Sequence, residues 1–336
     1  MPTDAPNDPW WVDAHLDLAY LDLMGPSVEA DHPDPAARGT SLPALVRGGV
    51  RIALGTIFTE FGSGGAAWGY AGHDDLEGAH AAGVRQLERY EAFERAGRIS
   101  IVRTREDLER CARPGGAPGI VILMECADPI RTPDEAAWWH ARGVREVGLS
   151  WAHGSRWSGG NARAGGLTAG GRAMVRALDA LGVLHDASHL SDAAFEDLCA
   201  ATDRRIVATH SNMRALMDPR ERHATDAQVA EIARRGGVVG LNLYGKFLAR
   251  DRAATLDDAV AHVEHAAAIA GRTGVGLGSD LDGGFTPADC PAGCGRPEEF
   301  GALGRALAAR GGRARPSRAF MHGNWMRVLR DALPAR

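Results

Sequence analysis

The order of apolar and helix-forming segments in this sequence predicts an α/β protein closed into an eight-stranded (β/α)8 barrel. Strand-like and helix-like stretches alternate eight times, and each crossover is long enough for the next strand to pair in parallel. Eight such units favour a closed barrel over an open sheet. Residue types that bind metals fall at the ends of strands one, three, five, six and eight, the end of a barrel where reactive groups collect. At 336 residues, with 45% hydrophobic and 24% charged, the chain has material for one barrel with a sizeable core.

Taken in order, residues 10–15 form a short apolar strand ending in His15-Leu16-Asp17, and the period of two puts His15 and Asp17 on one face. A helical stretch at 42–49 leads to strand two at 50–58, followed by a Gly-rich loop at 62–72. Residues 74–96 and 104–111 have helical period and belong on the outside. Strand three, 119–124, delivers Glu125 at its end; a helix at 134–142 precedes strand four at 144–151. The polar loop 153–161 follows, of a kind that often touches substrate. A helix at 168–181 leads to strand five, 183–188, and then His189. The helix at 191–201 carries Ser191 and Asp192 as caps, and strand six, 205–209, ends at His210. After a charged, irregular stretch at 213–223, a helix starts at Thr225, strand seven spans 237–243, a helix spans 256–270, and strand eight spans 275–279. Strand eight stops at Asp280-Leu281-Asp282 in a Gly-rich turn. The domain reading is therefore a single unit over 1–336, with the barrel core at 10–284. The tail, 285–336, holds a loop, a helix at 297–310, a basic turn through Arg318 and a last helix from Asn324, packed on the barrel.

A formal net charge of −5 offers no basic field for nucleic acid or an anionic membrane. Residues 1–9 lack a basic, apolar leader pattern, and no run approaches ~20 uninterrupted apolar residues, so the expected location is cytoplasmic with no membrane partner. Five scattered cysteines do not suggest a disulfide framework. Cys290 and Cys294 have the spacing of a zinc half-site, but no second pair completes it, and an ordinary loop accounts for them.

Singly, a His at a strand end is usually structural, Glu125 could be one half of a buried ion pair, and Asp280 to Gly283 could be a plain turn. Five strand ends bearing such residues in this order outweigh those readings. The nitrogen and oxygen donors suit Zn²⁺ or a similar ion, and they suffice for two: His15 and Asp17 on one, His189 and His210 on the other, Glu125 bridging. Two ions ~3.5–4 Å apart share a hydroxide, lower its pKa toward ~7 and polarise a carbonyl, which is hydrolytic chemistry. Asp280 is the candidate general acid/base, with Asp282 either forming the turn or supporting the site from behind. His262 and His265 fall on a helix away from the strand ends and belong to packing or surface; Cys126 points away from Glu125. Tyr244 and Trp157 are candidates for pocket walls or for packing.

These stretches resemble the renal, or membrane, dipeptidase family of zinc peptidases, within the amidohydrolase superfamily of distorted TIM barrels. The resemblance rests on Asp13-Ala14-His15-Leu16-Asp17, Met124-Glu125, Gly143 to Leu149, Asp186 to Asp192, Thr209-His210-Ser211-Asn212, Gly276 to Gly283 and Gly323-Asn324. It implies hydrolysis of dipeptides with a free carboxylate, often tolerating a D-residue at the C-terminal position. Two Zn²⁺ would be held by His15, Asp17, Glu125, His189 and His210, with Asp280 handling protons; a homodimer is common in the family. Two positions depart from its pattern. The register of a substrate-contacting His after strand four falls on Trp151, with His153 two residues on as the substitute. The carboxylate-binding Arg aligns to Arg222, with Arg220 in reserve. The alternatives are another carboxylate-bearing amide as substrate, a lactam or N-acyl amino acid, and a non-catalytic barrel that only binds.

Overall fold

The computed structural model describes residues 9–217, 219–310 and 318–335. Residues 1–8 and most of the basic turn expected through Arg318 lie outside the described residues.

All eight expected strands form: β1 Trp11–Leu16, β2 Val50–Ile57, β3 Gly119–Met124, β4 Val144–Gly148, β5 Leu184–Asp186, β6 Ile206–Val207, β7 Val239–Leu241 and β8 Val275–Leu277. They pair in parallel and in chain order from β1 to β6, and β7 pairs with β8. An isolated bridge from Ala208 to Val239 joins the two groups. The last four strands are shorter than their apolar runs because polar side chains take over the ladder. Asp186 Oδ1, for example, accepts from the amides of Ser188 (2.9 Å) and Thr209 (3.0 Å) where strand pairing would continue.

Around the strands lie α1 Leu18–Met24, α2 Leu42–Arg47, α3 Leu76–Arg95, α4 Arg105–Cys111, α5 Ala136–Ala141, α6 Ala169–Leu181, α7 Asp192–Ala201, α8 Asp226–Arg234 and α9 Leu256–Ala270, then α10 Phe300–Arg310 and α11 Asn324–Ala332. Ser191 caps α7, and Thr104, Thr225 and Thr255 form reciprocal capping boxes on α4, α8 and α9. The short α1 was not expected from the sequence; no side chain caps it, so it leaves no start signal. The Gly-rich loops also hold two short strand pairs, Glu60–Phe61 with Gly69–Tyr70 and Ser158–Gly160 with Arg163–Leu167.

Alternation along β3 shows how the site is aimed. Ile120, Ile122 and Met124 pack outward against the helices, while Val121 and Leu123 point into the barrel with Ile52, Leu54, Leu184 and Val207. Glu125 is next on the inward parity.

The seam between β8 and β1 is closed by side chains. The Gly274 carbonyl meets Val239 N at 2.9 Å, so the carbonyls of Val275 and Leu277 face away from β7, toward β1. They are met by Asn324 Nδ2 at 2.7 Å and by Trp325 Nε1 at 2.9 Å. A Cβ on Gly276 would stand 2.3 Å from that indole nitrogen, so this close approach requires glycine. Farther along, the Asp13 carboxylate accepts from Ser279 N (2.8 Å) and Oγ (2.5 Å), and Asp280 N donates to His15 O at 3.2 Å. The C-terminal helices are thus part of the barrel wall.

Trp325→Phe keeps one aromatic ring, deletes one buried donor and leaves a void where the pyrrole ring stood. Urea unfolding should show a loss of roughly 1–3 kcal/mol. The same change at the partly exposed Trp138 should stay within about 0.5 kcal/mol. Equal effects at the two positions would contradict the seam's role.

Candidate metal centre and substrate pocket

The C-terminal ends of β1, β3, β5, β6 and β8 bring together His15, Asp17, Glu125, His189, His210 and Asp280. Glu125 Oε1 lies 3.6 Å from His15 Nε2, 3.1 Å from His189 Nε2 and 3.4 Å from His210 Nε2. His15 Nε2 is 3.8 Å from both Asp17 Oδ1 and Asp280 Oδ1. Three triads have mutual spacing that could hold an ion: His15 with Asp17 and Glu125, His189 with His210 and Glu125, and His15 with His210 and Asp280. Among the described residues no such group contains a cysteine, and Cys290 and Cys294 are free thiols.

The residues fit a cation on chemical grounds. His15 Nε2 is buried with no hydrogen-bond partner among the described residues. The Nε2 atoms of His189 and His210 stand 3.0 Å apart, and both lone pairs can point at one ion. Burial, helped by the Arg222 charge, holds His15 and His189 well below the usual imidazole range, and burial followed by the charge of His15 does so for His210. All three rings are therefore neutral and able to ligate. Burial, followed by the charge of Asp17, pushes Glu125 and Asp280 well above the usual carboxylate range. Burial raises Asp17 to about 6 against a hydrogen bond from Thr56. A bound cation would reverse this cost and leave the carboxylates charged.

A second layer of polar groups orients these ligands. His210 Nδ1 pairs with Thr209 Oγ1 at 2.9 Å, and Thr209 donates to Asp186 Oδ2 at 2.6 Å, so the Nε2 lone pair faces the cluster. His189, at φ 66°, is clamped by Asn161, whose side-chain Oδ1 lies 2.9 Å from Nδ1 and whose backbone N–H donates to the His189 carbonyl at 2.8 Å. Asn242 Nδ2 donates to Asp280 Oδ2 at 2.7 Å. The sequence did not point to Asn161, Asn242 or Thr56, and Thr209 stood out only as the neighbour of His210 with no role of its own. Asn161 is the last residue of the polar loop expected at 153–161, and that was the available signal.

A cavity of about 390 Å³ opens onto the cluster, lined on one side by Tyr20, Phe58 and Trp151 and on the other by Tyr244, Phe247 and Phe285. Arg220 and Arg222 also line it. Arg222 is buried; its Nη2 donates to His210 O at 2.9 Å and its Nη1 to Ser211 Oγ at 3.3 Å, and its Nε has no partner among the described residues. Trp151 lines the pocket with its ring 5.9 Å from that of His189. His153 is not brought in: it is exposed and absent from the cavity wall. The inference from strand parity fails there because the chain reverses at Trp151, where Gly154 N donates to Trp151 O at 2.8 Å. Trp157 is packing, its indole donating to Ala127 O at 2.9 Å. His262 bridges Met213 N and Leu248 O, and His265 pairs with Asp226 on the surface. Asp282 anchors the turn, accepting from the amides of Gly39 (3.0 Å) and Thr40 (2.7 Å).

The model of the membrane dipeptidase family, peptidase family M19, matches residues 7–335. An uncharacterized protein encoded in the pqqA 5′ region of Klebsiella pneumoniae is 32% identical over 249 residues, which cover 70% of this chain and 90% of that protein. The structure titled dipeptidase AC, a metallopeptidase, superposes with a TM-score of 0.85 at 26% identity, covering 97% of this chain and 99% of that one. A Rhodobacter sphaeroides metallopeptidase, liganded with a phosphinate mimic of the dipeptide L-Ala-D-Ala, superposes with a TM-score of 0.84 at 26% identity, covering 97% and 100%.

Asn161→Ala removes the side-chain half of the clamp on His189 and should weaken metal binding, probed with zinc, by roughly 10–100-fold. Asn161→Asp keeps an acceptor and should recover part of the loss. Competition against a chelating dye measures both, and an alanine variant that binds zinc as the parent does would deny Asn161 this role.

Proposed function

Because the chain belongs to the membrane dipeptidase family, peptidase family M19, we propose that it is a binuclear zinc dipeptidase for dipeptides with a free C-terminal carboxylate, accepting a D-residue at that position. The observation that carries the reading is the position of Glu125, whose one carboxylate is shared by two ligand triads, His15 with Asp17 and His189 with His210. The phosphinate L-Ala-D-Ala mimic held by the Rhodobacter sphaeroides neighbour supports the substrate class.

When bound, the ions supply a nucleophile drawn from water at neutral pH and polarise the scissile carbonyl. The chain's own residues do the rest. Arg222, fixed by the His210 carbonyl and Ser211, takes the substrate carboxylate and sets the register of the peptide bond. Asp280, turned by Asn242 and close to His15, accepts the proton released on attack and carries it to the leaving amine. The aromatic walls hold bulk water off the reacting atoms and leave space for a dipeptide-sized ligand. Trp151 favours a second reading, a related amide, lactam or N-acyl amino acid as substrate, because an indole with no acceptor nitrogen stands beside His189. A purely binding barrel is disfavoured, since Asp280 and all five ligand residues are retained.

The zinc-loaded protein should hydrolyse members of a panel of L,L and L,D dipeptides, lose activity on chelation and regain it when two equivalents of zinc per chain return. Saturation at one equivalent would remove the second ion from the reading, and no turnover across the panel would remove the dipeptide. Asp280→Asn should lower kcat by ~10²–10⁴ while zinc content measured by atomic emission is kept. Undiminished kcat in that variant would take the proton-carrying role from Asp280.

A further inference from the structure

Four carboxylates line the cavity: Asp17, Glu60, Glu125 and Asp280. Three belong to the metal cluster, and Glu60 does not. It follows the end of β2, on the two-residue strand Glu60–Phe61, partly exposed to the cavity. Ser63 Oγ donates to its Oε2 at 2.7 Å and fixes the side chain on the wall. Among the described residues it has no ion-pair partner, so the pocket holds a carboxylate that neither the metal centre nor the fold accounts for.

Barrel topology locates it relative to the carboxylate anchor. Arg222 follows β6 and Glu60 follows β2, so three staves separate them on either side of the ring and they face each other across the mouth. The metal ligands rise from β1, β3, β5 and β6 between them. With the charges of Asp17, Glu125 and Asp280 committed to cations, the cavity is left with the guanidiniums of Arg222 and Arg220 from the loop after β6 and the carboxylate of Glu60 from the end of β2. That arrangement suits a short zwitterion whose two charged ends flank one amide. Tyr20 and Phe58 line the same wall as Glu60, and aromatic faces also favour a cation. The charges of Asp17 and Glu60 both act on the Tyr20 phenol after burial in raising it, so Glu60 lies close enough to that wall to act in concert with it.

We propose that Glu60 binds the free ammonium of the substrate's N-terminal residue and so selects unblocked dipeptides over substrates whose nitrogen is acylated. This rests on the dipeptidase reading above and names the residue that would separate it from the N-acyl alternative.

The test compares L-alanyl-D-alanine with N-acetyl-L-alanyl-D-alanine on zinc-loaded parent, Glu60→Gln and Glu60→Asp proteins. The parent should prefer the free dipeptide. In Glu60→Gln its kcat/KM should fall about tenfold to a hundredfold, chiefly through KM, and the preference over the acetylated form should shrink by a similar factor. Glu60→Asp should recover part of it. A loss shared equally by the two substrates would make Glu60 a structural residue and overturn the proposal. So would a dipeptide KM in Glu60→Gln within twofold of the parent's. If the parent turns over neither compound, the dipeptidase reading fails first and takes this one with it, an outcome distinct from a parent that cleaves both without preference.

Discussion

Three carboxylates and three imidazoles are gathered within a few ångströms of one another behind walls that keep water out, and the upper half of the barrel is arranged around that crowding. Two like charges 4 Å apart repel by about 4 kcal/mol at the effective dielectric of a protein interior near its surface. Asp17, Glu125 and Asp280 cannot all be ionised there without a compensating cation, and Arg222 is a single charge. These six groups come from five strand ends, His15 and Asp17 sharing one, so no local segment could assemble them. Only a closed ring of parallel strands, with all its carboxyl ends on one rim, delivers them to one point.

The same crowding explains the backbone conformations at the rim. His189, Asp280 and Asp282 take positive φ values of 66°, 60° and 61°, in the region where side chains other than glycine's are strained, at roughly 1–3 kcal/mol each. The strain turns two of these side chains off the strand direction and into the cluster. Nearby hydrogen bonds retain it: Asn161 on both ends of His189, Asn242 on the Asp280 carboxylate, and two backbone amides on Asp282. The site is held in a costly geometry before any ion arrives, which is the condition for tight and specific binding.

Much of this was legible in the sequence because two signals coincide. Apolar runs bounded by glycine give strands, and the residue after each run gives its rim position, so His15, Glu125, His189, His210 and Asp280 could be read without knowing how the strands curve. Features that depend on local reversal were not legible. His153 shares parity with Trp151 only if the chain stays extended, and a turn at Trp151 cancels that. Asn161 and Asn242 act through single side-chain bonds to partners 28 and 38 residues away, and no periodicity records such a contact. The uncapped α1 carries neither a start signal nor a length that would distinguish it from a loop. Glu60 stands at the end of strand two, just before the Gly-rich loop, and its meaning depends on what stands opposite.

The seam between the first and last staves has a consequence for how the molecule comes into being. Trp325 closes it from 48 residues beyond its acceptor Leu277, so a ribosome delivers every stave before the residue that locks the ring. Before that, among the described residues, only the rim contacts of Ser279 with Asp13 and of Asp280 N with His15 O can join the last stave to the first. A chain that stopped short of that helix would hold every residue of the cluster on a ring whose last stave keeps the carbonyls of Val275 and Leu277 unmet.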